Sequence, residues 1–212
     1  MENSKNIERF KKLMATVERP GVDKLMEFIS KSDFYTAPAS TKYHLSCEGG
    51  LLQHSLNVYD MLKFKAEQEP FKSKLVNVPQ ESIVIVALIH DICKTYFYKA
   101  TTRNVKNEQT GQWEKVPYYT IEDKIPYGHG EKSVMMIEKY ITLTNQERYA
   151  IRWHMGFSEP KEHYSMLSAA MEKYPLLLAL MEADLEASYL IEDKDGNKPE
   201  PPKQEMDFEK CN

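Results

Sequence analysis

The stretch Ile83-Val84-Ile85-Val86-Ala87-Leu88-Ile89 carries no polar side chain at seven consecutive positions, and Pro79 stands ahead of it, where a first helical turn accepts proline. A helix that is apolar on every side is stable in water only when other helices cover it all round. The run therefore predicts a buried helix inside a larger helical body. It is the longest apolar run in the chain and falls far short of the roughly 20 residues that span a bilayer. No membrane helix is expected. The run stops at His90-Asp91, two polar residues at the end of the most buried helix.

The rest of the chain supplies the neighbours. Ile7, Phe10, Leu13, Met14 and Val17 recur at helical spacing between residues 5 and 17, and Arg19-Pro20-Gly21 ends that run; Val22, Leu25, Met26 and Ile29 follow on one face up to about residue 31. After Gly49-Gly50, the stripe Leu51, Leu52, Ser55, Val58, Tyr59 and Leu62 predicts a long helix ending before Pro70. Helical pattern returns at Glu131, and Thr144 with Glu147 forms a capping box that opens a helix through His154, with Gly156 as its stop. Two more helices are expected over about 162–174 and 176–191, separated at Pro175. Between them and the buried helix the character changes. Tyr96, Phe97, Tyr98, Trp113, Tyr118 and Tyr119 flank the turn-like Asn107-Glu108-Gln109-Thr110-Gly111, which reads as a β-hairpin over about 96–120 inserted into a mainly α protein.

At 212 residues the chain is one domain, expected over 1–192, followed by a mobile polar tail over 193–212. From residue 191 onward seven acidic residues face four lysines, so most of the net charge of −4 sits in the tail and the body is close to neutral. That excludes sequence-blind capture of duplex nucleic acid by a basic surface. The N-terminal residues lead into a charged amphipathic stretch rather than a signal segment, and a cytoplasmic location is the expectation. Cys47, Cys93 and Cys211 include no C-x-x-C pair, so neither a disulfide framework nor a thiolate zinc site is implied.

The chemistry lies in where the histidines fall. His54 sits three after Leu51 and four before Val58, on the apolar stripe of its helix; His90 is four after Val86; His154 is four after Ala150; Asp184 is four after Leu180. All these polar groups point inward, where an unpartnered imidazole or carboxylate is costly. A single such histidine reads most simply as a hydrogen-bonded core residue, but several together with the pair His90-Asp91 make the ligand set of a divalent transition metal: manganese, iron, cobalt, nickel or zinc. Lys94, four after His90 and three after Asp91, lies on the same side and can hold a phosphoryl oxygen.

The ordered series Gly50-Leu51-Leu52-Gln53-His54-Ser55, His90-Asp91-Ile92-Cys93-Lys94, Gly128-His129-Gly130-Glu131-Lys132, Trp153-His154 and Ala183-Asp184 through Ser188 resembles the HD-domain metal-dependent phosphohydrolases, over about residues 44–190. The resemblance implies an all-helical bundle, with the hairpin as an insertion. It implies one metal on His54, His90, Asp91 and Asp184, and a second involving His129 and His154 with Asp91 as bridge. It also implies His44 near the substrate phosphate. Cys93 stands where the family commonly has glycine, and Trp153 where several two-metal members have a second histidine, so the number of ions, one or two, stays open.

With such ions the expected reaction is hydrolysis of a phosphomonoester or phosphodiester of a nucleotide or single-stranded nucleic-acid end by metal-activated water. Asp91 and Lys94 are the catalytic candidates, and Lys94, His44 and Arg152 the candidates for substrate contact. Arg152 reads equally as surface cover. The rivals are a di-iron oxygenase of the same fold and a non-catalytic nucleotide-sensing module. Between Lys94 and Gly128 six basic residues face four acidic ones, interleaved with rings. That pattern suits a nucleotide platform and equally a plain two-stranded ribbon. Glu131 and Lys132 read as an exposed first turn, where an acid complements the helix dipole. The oligomeric state is not legible.

Overall fold

The computed structural model describes residues 2–107 and 110–192. Its helices are α1 (Glu2–Met14), α2 (Val22–Lys31), α3 (Gly50–Ala66), the short α4 (Phe71–Lys74), α5 (Gln80–Ile89), α6 (His129–Glu138), α7 (Asn145–Trp153), α8 (Tyr164–Lys173) and α9 (Pro175–Glu186). The two strands are β1 (Tyr98–Lys106) and β2 (Trp113–Ile121). Helix α5 is the apolar run. Every side chain from Ser82 to Ile89 is buried, because α3, α1 and α7 pack around it. In turn α3 packs on α9 and α9 on α7, so α3, α5, α7 and α9 form a closed ring of neighbours. Helix α6 packs on α7 and on the tight turn Ile92–Lys94. Among the described residues no helix is long and apolar enough to cross a membrane.

Local chemistry sets most of the ends. At α7 both halves of the capping box form: the Glu147 amide donates to Thr144 Oγ1, and the Thr144 amide donates to Glu147 Oε2 at 2.7 Å. Pro175 takes the first turn of α9. Helix α1 stops at Met14 rather than running to Val17, because the amides of Thr16 and Val17 fold back on the carbonyls of Leu13 and Met14. The last helix also departs from a uniform pattern. Beyond Glu186 the coil widens over Ala187–Ile191, and the Glu192 amide donates to the Ala187 carbonyl, five residues back.

The hairpin is an antiparallel pair with Tyr98 opposite Ile121 and Lys106 opposite Trp113. It stands away from the bundle, with Trp113 and Ile121 exposed. The Arg103 guanidinium covers the Tyr118 ring at 4.7 Å, so one cation and one ring of the proposed platform engage each other. Its base docks where the Tyr98 hydroxyl donates to the Ala39 carbonyl. Lys132 is not an exposed first-turn residue. It is buried, pairing with Asp123 and lying over Phe97. The tail over 193–212 lies outside the described residues.

Candidate metal centre

The ring of helices carries the inward-facing polar groups to one place. His54 comes from the second turn of α3, His90 and Asp91 from the end of α5, His129 from the start of α6, His154 from the end of α7, and Asp184 from α9. Their imidazoles form a continuous chain of ring contacts: His54 to His90 at 5.4 Å, His90 to His154 at 4.8 Å, and His154 to His129 at 5.2 Å. His129 reaches this chain because the next residue is glycine. A Cβ on Gly130 would meet the Arg152 carbonyl oxygen at 2.1 Å, so α6 can start against the end of α7 only with glycine there.

Asp91 is the hub. Its Oδ1 lies 2.6 Å from His129 Nε2 and 3.5 Å from His154 Nε2. Its Oδ2 receives the Lys94 ammonium at 2.6 Å and lies 3.6 Å from His90 Nε2 and 3.7 Å from His54 Nε2. Asp184 Oδ1 lies 3.1 Å from His54 Nε2. The sequence-predicted set His54, His90, Asp91, His129, His154, Asp184 and Lys94 is thus brought together.

Two of the imidazoles test whether a metal fits. His90 Nδ1 donates to the Ala87 carbonyl at 2.9 Å and His154 Nδ1 to the Ile151 carbonyl at 2.7 Å. A proton held on Nδ1 leaves the lone pair on Nε2. Both Nε2 atoms are buried and have no hydrogen-bond partner. Buried polar atoms are rarely left so, and an imidazole fixed by a carbonyl on its far nitrogen is the usual form of a histidine metal ligand. The donor set fits a divalent transition metal. Triads of ligand atoms within 4.8 Å of one another occur at His54, His90 and Asp91; at His90, His154 and Asp184; and at Asp91, His129 and His154.

The charge balance agrees. Burial opposes ionisation of Asp184, but hydrogen bonding to His54 and the nearby imidazoles outweigh it and hold its pKa well below the ordinary carboxylate value. Burial opposes protonation of His54, yet Glu192 and Asp184 push its pKa up to about 10. Burial, with the neighbouring His154 and His54, carries His90 down to about 4 despite Asp91 and Asp184. The pocket is therefore rich in ionised carboxylate and draws positive charge, which a divalent cation supplies.

Above these groups opens a cavity of about 800 Å³ lined by His44, His54, Asp91, Lys94, His154 and Asp184, with Tyr43, Phe157 and Tyr189 at its mouth. This is the size of a small-molecule site. The three rings are 69%, 63% and 77% exposed; nothing in their local pattern marked them. Among the described residues, none from the hairpin strands lines this cavity. Arg152 is not brought to it either: its guanidinium is held by Glu131 and Glu159 and lies 4.0 Å over Trp153, facing a different groove. His44 is at the cavity, but its Nδ1 is 2.6 Å from Glu192 Oε2. Glu192 itself, counted from sequence among the charges of the tail region, is buried against His54.

Residues 51–189 match the family model described as HD domain. No curated protein and no solved structure matches the chain. The matched segment spans most of the chain and contains His54, His90, Asp91, His129, His154 and Asp184, so the chain belongs to the HD-domain metal-dependent phosphohydrolase superfamily.

Proposed function

We propose that this protein hydrolyses a phosphomonoester or phosphodiester of a nucleotide or of a single-stranded nucleic-acid end, with one or two divalent ions held by His54, His90, Asp91, His129, His154 and Asp184. The observation that carries the reading is the pair of buried, unpartnered Nε2 atoms on His90 and His154, grouped with Asp91 and Asp184 next to an open cavity that His154, Asp91, Asp184 and Lys94 line. Bound metal would supply Lewis acidity and an activated water at neutral pH. The chain's residues do the rest. Asp91 and Asp184 balance the cationic charge, and the carbonyls of Ala87 and Ile151 keep His90 and His154 in the tautomer that leaves Nε2 free. Burial opposes the charge on Lys94, but Asp91 outweighs it and holds the ammonium protonated well above neutral pH. Lys94 lines the cavity and is positioned to stabilise charge growing on phosphoryl oxygens.

Substrate class rests on the rings at the mouth. Tyr43, Phe157 and Tyr189 line the cavity and are largely exposed, with the Lys42 ammonium 5.0 Å over the Tyr43 ring, and aromatic faces stack on any base. The neutral body favours a small nucleotide over a long polyanion.

Two experiments test this. Adding Mn²⁺, Co²⁺ or Zn²⁺ at about 100 times its dissociation constant should stabilise the metal-free protein by about 2.7 kcal/mol, a rise of about 5–11 °C in Tm for a domain of this size. Chelator should reverse the rise; identical melts with and without metal would remove the centre. Lys94→Ala should retain metal and lose about 10²–10³-fold in turnover on nucleotide esters. Equal rates in the two proteins would place the phosphate elsewhere, and a product that forms only with oxygen would replace hydrolysis by oxidative cleavage.

A further inference from the structure

The far side of His54 is occupied by a group outside the matched family segment. Glu192 follows that segment by three residues. Its carboxylate is buried and fully engaged: both oxygens lie 3.1 Å from His54 Nδ1, Oε2 lies 2.6 Å from His44 Nδ1, and Asn57 Nδ2 donates to Oε1 at 2.8 Å. Asn57 is three residues after His54, on the next turn of α3.

The path of the chain explains how Glu192 arrives there. It is eight residues after Asp184, and eight residues of regular α-helix end about 80° round the axis from the start. The wide turn over Ala187–Ile191 absorbs one extra residue, which takes back about 100°. Glu192 thereby stays on the face of α9 that carries Asp184. The two carboxylates then meet opposite nitrogens of one imidazole, Asp184 at Nε2 and Glu192 at Nδ1.

We propose that Glu192 is a positioning residue for the metal centre: it accepts the Nδ1 proton of His54, directs Nε2 toward Asp91 and Asp184, and tethers His44 at the cavity rim. His90 and His154 are oriented by backbone carbonyls on their Nδ1 sides; His54 alone of these three is oriented by a carboxylate. A carboxylate in that place raises the basicity of the ligand as well as fixing its ring. The proposal rests on the reading of His54 as a metal ligand. The triad His44, His54 and Glu192 also has its ligand atoms within 4.8 Å of one another, so direct coordination by Glu192 is the competing outcome.

The test is a titration of the full-length metal-free protein with Co²⁺, reading stoichiometry, dissociation constant and the d–d absorption band, for wild type, Glu192→Gln and Glu192→Ala. Glu192→Ala should bind the same number of ions about 10–100-fold more weakly, with an altered band. Glu192→Gln keeps an acceptor for the Nδ1 proton and the side-chain volume, so it should fall between the two. Unchanged affinity and spectrum in both variants would overturn the proposal. Loss of one ion per chain would overturn it differently, by making Glu192 a direct ligand. Absence of Co²⁺ binding by the wild type would instead remove the metal reading beneath it. Melts of the metal-free proteins identify a variant that has lost its fold, and Glu192→Gln then carries the comparison.

Discussion

Asp91→Ala should lower turnover by at least the ~10²–10³-fold that loss of one charge-stabilising group costs, and weaken metal binding by more than the ~10–100-fold typical of outer-sphere changes. The reason is the number of groups that depend on this one carboxylate. Its two oxygens meet Lys94 and His129 at 2.6 Å each and lie within 3.7 Å of the Nε2 atoms of His54, His90 and His154. No other side chain of the centre faces all of them. Removing it also leaves the Lys94 ammonium, 13% exposed, without its carboxylate, a change that costs about 3–5 kcal/mol when a buried pair is broken from one side. Asp91→Asn preserves shape and hydrogen-bonding capacity but not charge, so it separates ligand loss from unfolding. Metal content by elemental analysis and turnover under saturating metal are the readouts. Hydrolysis at the wild-type rate by either folded variant would contradict the assignment.

The largest effect on stability alone should come from Arg19. Its guanidinium donates to both oxygens of Glu147, at 2.7 and 2.6 Å, to Glu81 at 3.0 Å and to the Thr142 carbonyl at 3.1 Å. This one side chain ties the loop after α1 to the first turns of α5 and α7. Glu147 is fully buried and Arg19 is 11% exposed. Arg19→Met strands the Glu147 carboxylate and should cost about 3–5 kcal/mol, or about 6–20 °C in Tm.

The pH dependence carries a sign. Burial works against ionisation of Glu147, but Arg19 and the Thr144 amide outweigh it, so the folded-state pKa lies below the ordinary 4.5. A lowered carboxylate pKa adds stability that is present above the unfolded value and lost as pH falls through the folded one. The stability gap between wild type and Arg19→Met should therefore narrow as pH falls, first as the stranded, buried Glu147 carboxyl of the variant takes up a proton and then, below about pH 4.5, as the wild type loses the contribution of its ion pair. Denaturant melts from pH 7 to pH 3 measure it. A gap under about 1 kcal/mol, the range of exposed pairs, or one that does not change with pH, would show that the pair does little for the fold.

Glu147 also shows how far sequence reading carries. As the fourth residue of Thr144-Asn145-Gln146-Glu147 it was legible as a cap, because a capping box is a local arrangement with fixed spacing. Its partner Arg19, 128 residues away, has no such signature. The same division runs through the centre. His54, His90, His154 and Asp184 were legible because each interrupts an apolar helical stripe, and period alone says that they face inward. Glu192 gave no signal, since its face depends on the wide turn before it and its neighbours sound like a charged tail. Arg152 pointed the other way: it stands two residues before His154, about 200° of rotation on a helix, enough to turn it onto Trp153 and the two glutamates.

What the amino-acid order determined by itself is the set of local decisions: a helix too apolar to stand alone, caps and stops at Thr144, Gly156 and Pro175, and polar groups on inward faces. These follow from hydrogen bonding and side-chain periodicity within a few residues. Only the tertiary structure decided which inward groups meet. That depends on the ring of α3, α5, α7 and α9 closing around one point, on glycine at 130 admitting α6, and on a widened turn delivering Glu192. Distances between groups far apart in sequence are set by how helices pack, and packing is a property of all the contacting surfaces together rather than of any one segment.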